Sequence, residues 1–256
     1  MQDLKVTLVQ IHQVWEDKKA NFEIYENELK QVETDIIVFP EMFQTGFTMN
    51  VKEMGEDWEN SKSIRWLKSI ALEKNAAIYT SLIIKEDEKY FNRGVFVFPN
   101  GEIEFYDKRK SFALAGEDQF FTSGTEPTIV EYLGWKIQLQ ICFDLRFPEI
   151  SRNYIEENGI PSYDLLLYVA NWPKKRILHW DTLLKARAIE NQCYVAGVNR
   201  VGIDQNNLGY NGHSTIVSPL GDDVIGKKEG KSTSSLAIKF NFLSETRKKL
   251  PFLLKR

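Results

Sequence analysis

Soft metal ligands are scarce in this chain, with two cysteines and three histidines in 256 residues. Cys142 and Cys193 stand apart, and His12, His179 and His213 fall at no spacing that zinc sites use, so no metal centre is expected. Two cysteines make no disulfide framework, and both are expected to be free thiols. No apolar run approaches the roughly 20 residues of a membrane span. The start, Met1 to Val6, lacks a charged region followed by an apolar one. A soluble, cytoplasmic protein with no membrane contact is the expectation. Charge of one sign is also missing, because 33 basic and 36 acidic residues leave a net charge of −3 without a basic block. That balance excludes the electrostatic footprint of a nucleic-acid binder. There is no internal repeat, low-complexity tract or linker-like stretch.

Core-forming material is plentiful. A hydrophobic content of 43% and an aromatic content of 12% suffice for one large core, and residues 1–256 read as a single α/β domain. Leu4 to Gln10 and Asp35 to Phe39 read as strands. Helical stripes follow from Phe22, Tyr25, Leu29 and Val32, from Ile64, Leu67, Ile70 and Ala71, and from Trp180, Leu183, Leu184, Ala188 and Ile189. Asn100-Gly101, between apolar runs, predicts a hairpin, and another turns at Leu133-Gly134. A helix is predicted from Pro148 to about Glu157. A final hairpin is predicted from Ser214–Val217 to Ser235–Phe240, and a basic helix from Leu243 to Lys249. The apolar run Pro251–Leu254, in a C-terminal tail spanning 241–256, has no evident internal partner and suits contact with a second subunit. The mixed pattern predicts sheets covered by helices on their outer faces.

Three strand ends carry chemistry. The strand Trp135 to Ile141 runs into Cys142 and then at once into a polar turn. A thiol at such an edge meets substrate and the N–H groups of the next turn, which lower a thiol's pKa and hold an oxyanion. By itself a lone cysteine is more often a packing residue. Reading Cys142 as the nucleophile of an amide-cleaving enzyme therefore requires partners. Asp35 to Phe39 ends at Pro40-Glu41, and the first hairpin delivers Asp107-Lys108-Arg109-Lys110. Alone, Glu41 reads as a loop or helix-start charge and the basic group as a solvated turn. Together with Cys142 they offer an acid, a cation and a thiol. The long loop from Ser111 to Glu126 is of a length that is often functional.

In Phe39-Pro40-Glu41, Tyr106-Asp107-Lys108-Arg109 and Cys142 to Glu149, joined by Tyr168 to Pro173 and Ala186 to Asn191, the chain resembles the nitrilase superfamily of carbon–nitrogen hydrolases. The likeness runs over nearly the whole length. It is greatest to bacterial omega-amidases, which hydrolyse the terminal amide of 2-oxoglutaramate and related dicarboxylic monoamides. The resemblance implies a four-layer αββα sandwich that forms homodimers, a small-molecule amide substrate and no cofactor. It implies Cys142 as nucleophile through a thioester, Glu41 as general base, and Lys108 with the Phe143 N–H as oxyanion donors. A second glutamate found in many family amidases matches Glu117, with Asp118 and Glu126 competing for the assignment, as Lys110 competes with Lys108. Arg146 either binds a substrate carboxylate or pairs structurally with Glu149 or Glu190. Phe47 and Trp172 are candidate pocket walls, with a plain core role as the alternative. His179, His213 and Cys193 read as structural.

Several rivals share these residues. A nitrilase, an N-carbamoyl amide hydrolase or an amidase of deaminated glutathione would differ only in the pocket. A non-catalytic nitrilase-like binding protein would keep the scaffold, and a papain-like thiol hydrolase would need a histidine partner that the sequence does not place.

Overall fold

A computed structural model gives the fold and describes residues 2–255. The first part of the chain runs β1 (Leu4–Gln10), α1 (Lys18–Leu29), β2 (Ile36–Val38), α2 (Val51–Met54), β3 (Glu56–Asp57), α3 (Lys62–Lys74), β4 (Ala77–Glu86), β5 (Lys89–Val97) and β6 (Ile103–Asp107). Next come α4 (Glu117–Phe120), β7 (Ile129–Tyr132), β8 (Trp135–Ile141), β9 (Leu165–Ala170), α5 (Ile177–Asn191) and β10 (Tyr194–Asn199). The last part is β11 (Val201–Ile203), β12 (Gly209–Asn211), β13 (Thr215–Val217), β14 (Ser232–Ile238) and α6 (Phe240–Lys249). One sheet has the order β14-β1-β2-β4-β5-β6, with β3 beside β4, and the other has the order β13-β10-β9-β8-β7.

Local chemistry sets the helices. Asp17 caps α1 by accepting the Ala20 N–H at 3.0 Å, and Ser61 caps α3 by accepting the Ile64 N–H at 3.0 Å. Side chains then alternate across the first sheet. Val6, Leu8, Ile36, Val38 and Tyr79 pack with Leu139, Ile141 and Leu167 of the second sheet. Val9, Ile37, Phe39 and Ile78 pack instead with Tyr25 and Leu29 of α1 and Leu67 of α3. On the far side, α5 lies so close to β10 that a Cβ at Gly197 would meet Leu184 at 2.7 Å and Trp180 at 2.8 Å. The layers are therefore helix, sheet, sheet, helix, the αββα sandwich that the resemblance implies. The Tyr79 hydroxyl, donating to the Gln140 carbonyl at 2.9 Å, ties the two sheets together beside the site.

Three expectations are corrected. No helix runs from Pro148 to Glu157, because only Pro148–Ser151 forms a short 3-10 turn. Asn153 draws the backbone away, its N–H donating to Asn191 Oδ1 at 2.9 Å and its amide donating to the Tyr163 and Asn191 carbonyls at 3.0 Å each. Nor does β13 form a hairpin with β14. β13 pairs with β10, whereas β14 crosses to the other sheet and lies antiparallel to β1, Leu4 opposite Ile238. The C-terminal tail has an internal partner after all. Leu253 is buried and its N–H donates to Gln192 Oε1 at 3.2 Å, while Phe252 and Leu254 stay exposed. Met1 and Arg256 lie outside the described residues. Among the described residues, no helix is long and apolar enough to cross a membrane.

Candidate active site

Parallel pairing of β1, β2 and β4, and of β8, β9 and β10, brings strand C-termini to one edge. Open α/β sheets present ligand sites at such edges. Glu41 follows β2, Lys108 follows β6, Cys142 follows β8 and Asn171 follows β9. The polypeptide turns sharply at two of these points. Met42, next to Glu41, has φ 46° and Cys142 itself has φ 45°, a left-handed conformation that costs a side-chain-bearing residue free energy and is kept where surrounding bonds impose it. At Cys142 the imposing group is Asp144. Its buried carboxylate accepts the Ile141 N–H at 3.0 Å, the Lys110 N–H at 3.0 Å and the Tyr106 hydroxyl at 2.9 Å. One side chain thus ties the cysteine turn to the strand end that bears Lys108. Burial pushes the Asp144 carboxyl up to about 7, against the lowering effect of Lys108 and these donors.

Lys108 Nζ lies 2.9 Å from Glu41 Oε1 and 2.8 and 2.9 Å from the two oxygens of Glu117. All three side chains are buried. Asn92 completes the cluster, donating to Glu41 Oε1 at 2.8 Å and to Glu117 Oε1 at 3.1 Å. Glu41 Oε2 accepts the Asn171 N–H at 3.0 Å, and Glu117 Oε2 accepts the Phe112 N–H at 2.6 Å. Burial alone would push the Lys108 ammonium down, but the charges of Glu117 and Glu41 outweigh it and hold the group protonated well above its ordinary range. The Cys142 thiol moves the other way from the sequence expectation. Burial and then the Glu41 charge raise it well above the usual thiol value, and Lys108 offsets only part of this. The resting thiol is neutral, and its proton has a carboxylate to go to.

This cluster has a stability consequence. Replacing Lys108 with methionine leaves two buried carboxylates facing each other without a countercharge. Lys108→Met is expected to lower the unfolding free energy by about 3–5 kcal/mol, and adding Glu117→Gln should recover part of the loss. Urea denaturation at neutral pH checks this, and a single variant as stable as the native protein would contradict the charge assignment.

The site opens into a cavity of about 630 Å³ lined by Cys142, Lys108, Phe47, Phe143, Arg146 and Trp172, among others. Phe47 lies over Lys108 Nζ at 5.3 Å, and Trp172 is nearly buried. Of the three acids considered between lysine and cysteine, Glu117 reaches Lys108, whereas Asp118 and Glu126 are exposed. Lys110 points elsewhere, 3.5 Å from Glu149. Arg146 makes neither structural ion pair considered for it, since Glu149 faces Lys110 and Glu190 takes Arg187 at 2.9 Å. Its guanidinium lies 4.8 Å over the Trp172 ring and 3.2 Å from His179 Nδ1. His213 sits apart, 3.0 Å from Asp181, and Cys193 is core. Sequence reasoning did not single out Asn92, Asn171, Asp144 or Arg176. Among the described residues no group of His, Cys, Asp and Glu side chains could hold a metal ion.

The carbon–nitrogen hydrolase family model matches residues 5–248. The chain belongs to the carbon–nitrogen hydrolase family, the nitrilase superfamily of the sequence resemblance. As a family member it is a hydrolase of carbon–nitrogen bonds. It is 45% identical to the omega-amidase YafV of Yersinia enterocolitica over 87% of this chain and 84% of that protein. It is 35% identical to the 2-oxoglutaramate amidase of Bacillus subtilis (strain 168), covering 83% of this chain and 81% of the relative. The CN-hydrolase superfamily protein XC1258 from Xanthomonas campestris, solved with an arsenic adduct in its active site, superposes with a TM-score of 0.97. That match covers 100% of this hydrolase and 98% of the solved chain at 36% identity.

Proposed function

We propose that this hydrolase is an omega-amidase, releasing ammonia from 2-oxoglutaramate or a similar dicarboxylic monoamide by way of a Cys142 thioester. Cys142 Sγ attacks the amide carbonyl as Glu41 takes the thiol proton. The oxyanion forms against Lys108 and the Phe143 N–H. Lysine carries three N–H donors and can turn one from the carboxylates, and Phe143 lies in the first turn of a 3-10 segment, where N–H groups lack an intrahelical acceptor. Collapse breaks the carbon–nitrogen bond, and ammonia departs with the proton returned by Glu41. Water, deprotonated by Glu41, then attacks the thioester through a second oxyanion at the same donors. The carboxylate product leaves and the thiol is restored. Glu117 acts through Lys108, holding the ammonium in place through both of its carboxylate oxygens.

The observation that carries the substrate class is Arg146, a guanidinium facing the cavity with no carboxylate partner among the described residues. Phe47 and Trp172 line the same cavity as Arg146 and Cys142. The names of the relatives, omega-amidase and 2-oxoglutaramate amidase, agree with this reading. A cytoplasmic homodimer completes it, the exposed Phe252 and Leu254 offering tail surface to a second subunit.

Ammonia release from 2-oxoglutaramate, from a nitrile and from an N-carbamoyl amino acid tests the reading on purified protein. The first is expected to be turned over with the highest kcat/KM. Turnover of either of the others with none of 2-oxoglutaramate would overturn it in favour of another family activity.

A further inference from the structure

Two guanidinium groups, not one, stand in the cavity without an acid beside them among the described residues. Arg146 lies in the turn that follows Cys142, and Arg176 in the turn that follows Asn171. Each therefore hangs from a strand end that also bears a group at the reacting centre. The rings of Phe112 and Phe143 touch, with centroids 5.0 Å apart. Arg146 lies over Phe143 at 5.9 Å and Arg176 over Phe112 at 5.2 Å. Trp172 joins the two from another side, its ring 4.8 Å from the Arg146 guanidinium and its indole N–H donating to the Arg176 carbonyl at 2.8 Å. An aromatic cradle thus holds two like charges as neighbours.

Like charges in a partly desolvated site repel, and an anion between them removes the repulsion. Burial, followed by the charge of Arg176, lowers Arg146 from its ordinary value, as such a neighbour must. Among the described residues no carboxylate forms an ion pair with either guanidinium. Asp204 lines the cavity, but its carboxylate already accepts the Tyr210 hydroxyl at 2.8 Å and the Asn206 and Leu208 N–H groups at 2.8 and 2.9 Å. His179, beside Arg146, brings no negative charge.

We propose that Arg146 and Arg176 form one clamp for the carboxylate at the far end of the amide substrate, which makes Arg176 a specificity-determining residue. The inference rests on the omega-amidase reading and names the second half of its carboxylate site. Each guanidinium can offer N–H donors to one carboxylate oxygen or to both. A monoamide of a dicarboxylic acid fills the clamp while its amide carbonyl meets Cys142. A neutral amide of the same length leaves the two cations unrelieved, so the pair selects by repulsion as well as by attraction.

The test compares kcat/KM for 2-oxoglutaramate and for pentanamide, its uncharged counterpart in length, in the native enzyme, Arg176→Gln, Arg176→Lys, Arg146→Gln and the double glutamine variant. The native enzyme is expected to prefer the acid amide. Arg176→Gln should lower that preference by about 10- to 100-fold, chiefly through KM for the acid amide, and Arg176→Lys should restore part of it. The double variant should lose less than the product of the single losses, because the two residues share one ligand. A native enzyme without preference for the acid amide would overturn the omega-amidase reading itself. A native preference that survives Arg176→Gln within twofold, or an equal fall for both amides, would overturn the clamp alone.

Discussion

Cys142→Ala is expected to lower kcat for 2-oxoglutaramate by about 10⁴-fold or more, with the fold retained. The size follows from the proposed route. Without Sγ no thioester forms, and water would have to attack the amide directly, beside donors placed for a different nucleophile. Retention of the fold follows from what holds the turn. The Asp144 carboxylate and its three donors fix the backbone around position 142, and none of those bonds involves the sulfur. The contact of Sγ with the Asn171 carbonyl is long at 4.0 Å. A thermal melt should therefore stay within a few degrees of the native protein. Substantial turnover by a folded Cys142→Ala would refute the nucleophile assignment.

Glu41→Gln is expected to cost about 10²- to 10⁴-fold in kcat, the usual worth of a positioned general base. It should also reveal how the carboxylate is held. Oε1 accepts from Asn92 and Lys108, and Oε2 accepts from the Asn171 N–H, so the new amide group faces a donor in either orientation. Some stability should be lost along with activity. A separate readout isolates the proton transfer. The Cys142 thiol sits above its ordinary pKa because of burial and Glu41, so its alkylation at neutral pH needs the carboxylate as proton acceptor. The variant should react more slowly with a small alkylating reagent, even though removing a negative charge would by itself favour thiolate. Faster alkylation together with unimpaired turnover would show that Glu41 is not the base.

Much of the arrangement was legible because it rests on short-range patterns. Apolar runs ending at Glu41 and Cys142, and a hairpin ending at Lys108, are visible in sequence, and the parallel pairing of β2, β8 and their neighbours brings those ends together. The α3 and α5 helices were visible through their apolar stripes, although Ile189, expected on the inner face of α5, is exposed. What was hidden depends on long-range partners. Asn92 lies mid-strand among ordinary strand residues, and its importance appears only when two carboxylates fold onto its amide. Asn171 contributes a backbone N–H, a group every non-proline residue possesses. Asn153 ends the expected helix by bonding to Tyr163 and Asn191, residues that local propensity cannot see. Arg176 follows Lys174 and Lys175, both exposed, and reads in sequence as the end of a solvated basic run. The strands β11 and β12 are three residues each, too short for alternation to register. The expected lowering of the thiol pKa failed because burial and the Glu41 charge outweigh the lowering effect of Lys108.

The central claim is that Cys142 carries the acyl group, and the intact mass of the protein, acid-quenched while turning over a slow amide substrate, tests it most directly. The expected result is a species heavier by the substrate less ammonia, mapped to the peptide containing Cys142 and absent from Cys142→Ala. An acyl group mapped to any other residue, or the same adduct on Cys142→Ala, would contradict the claim.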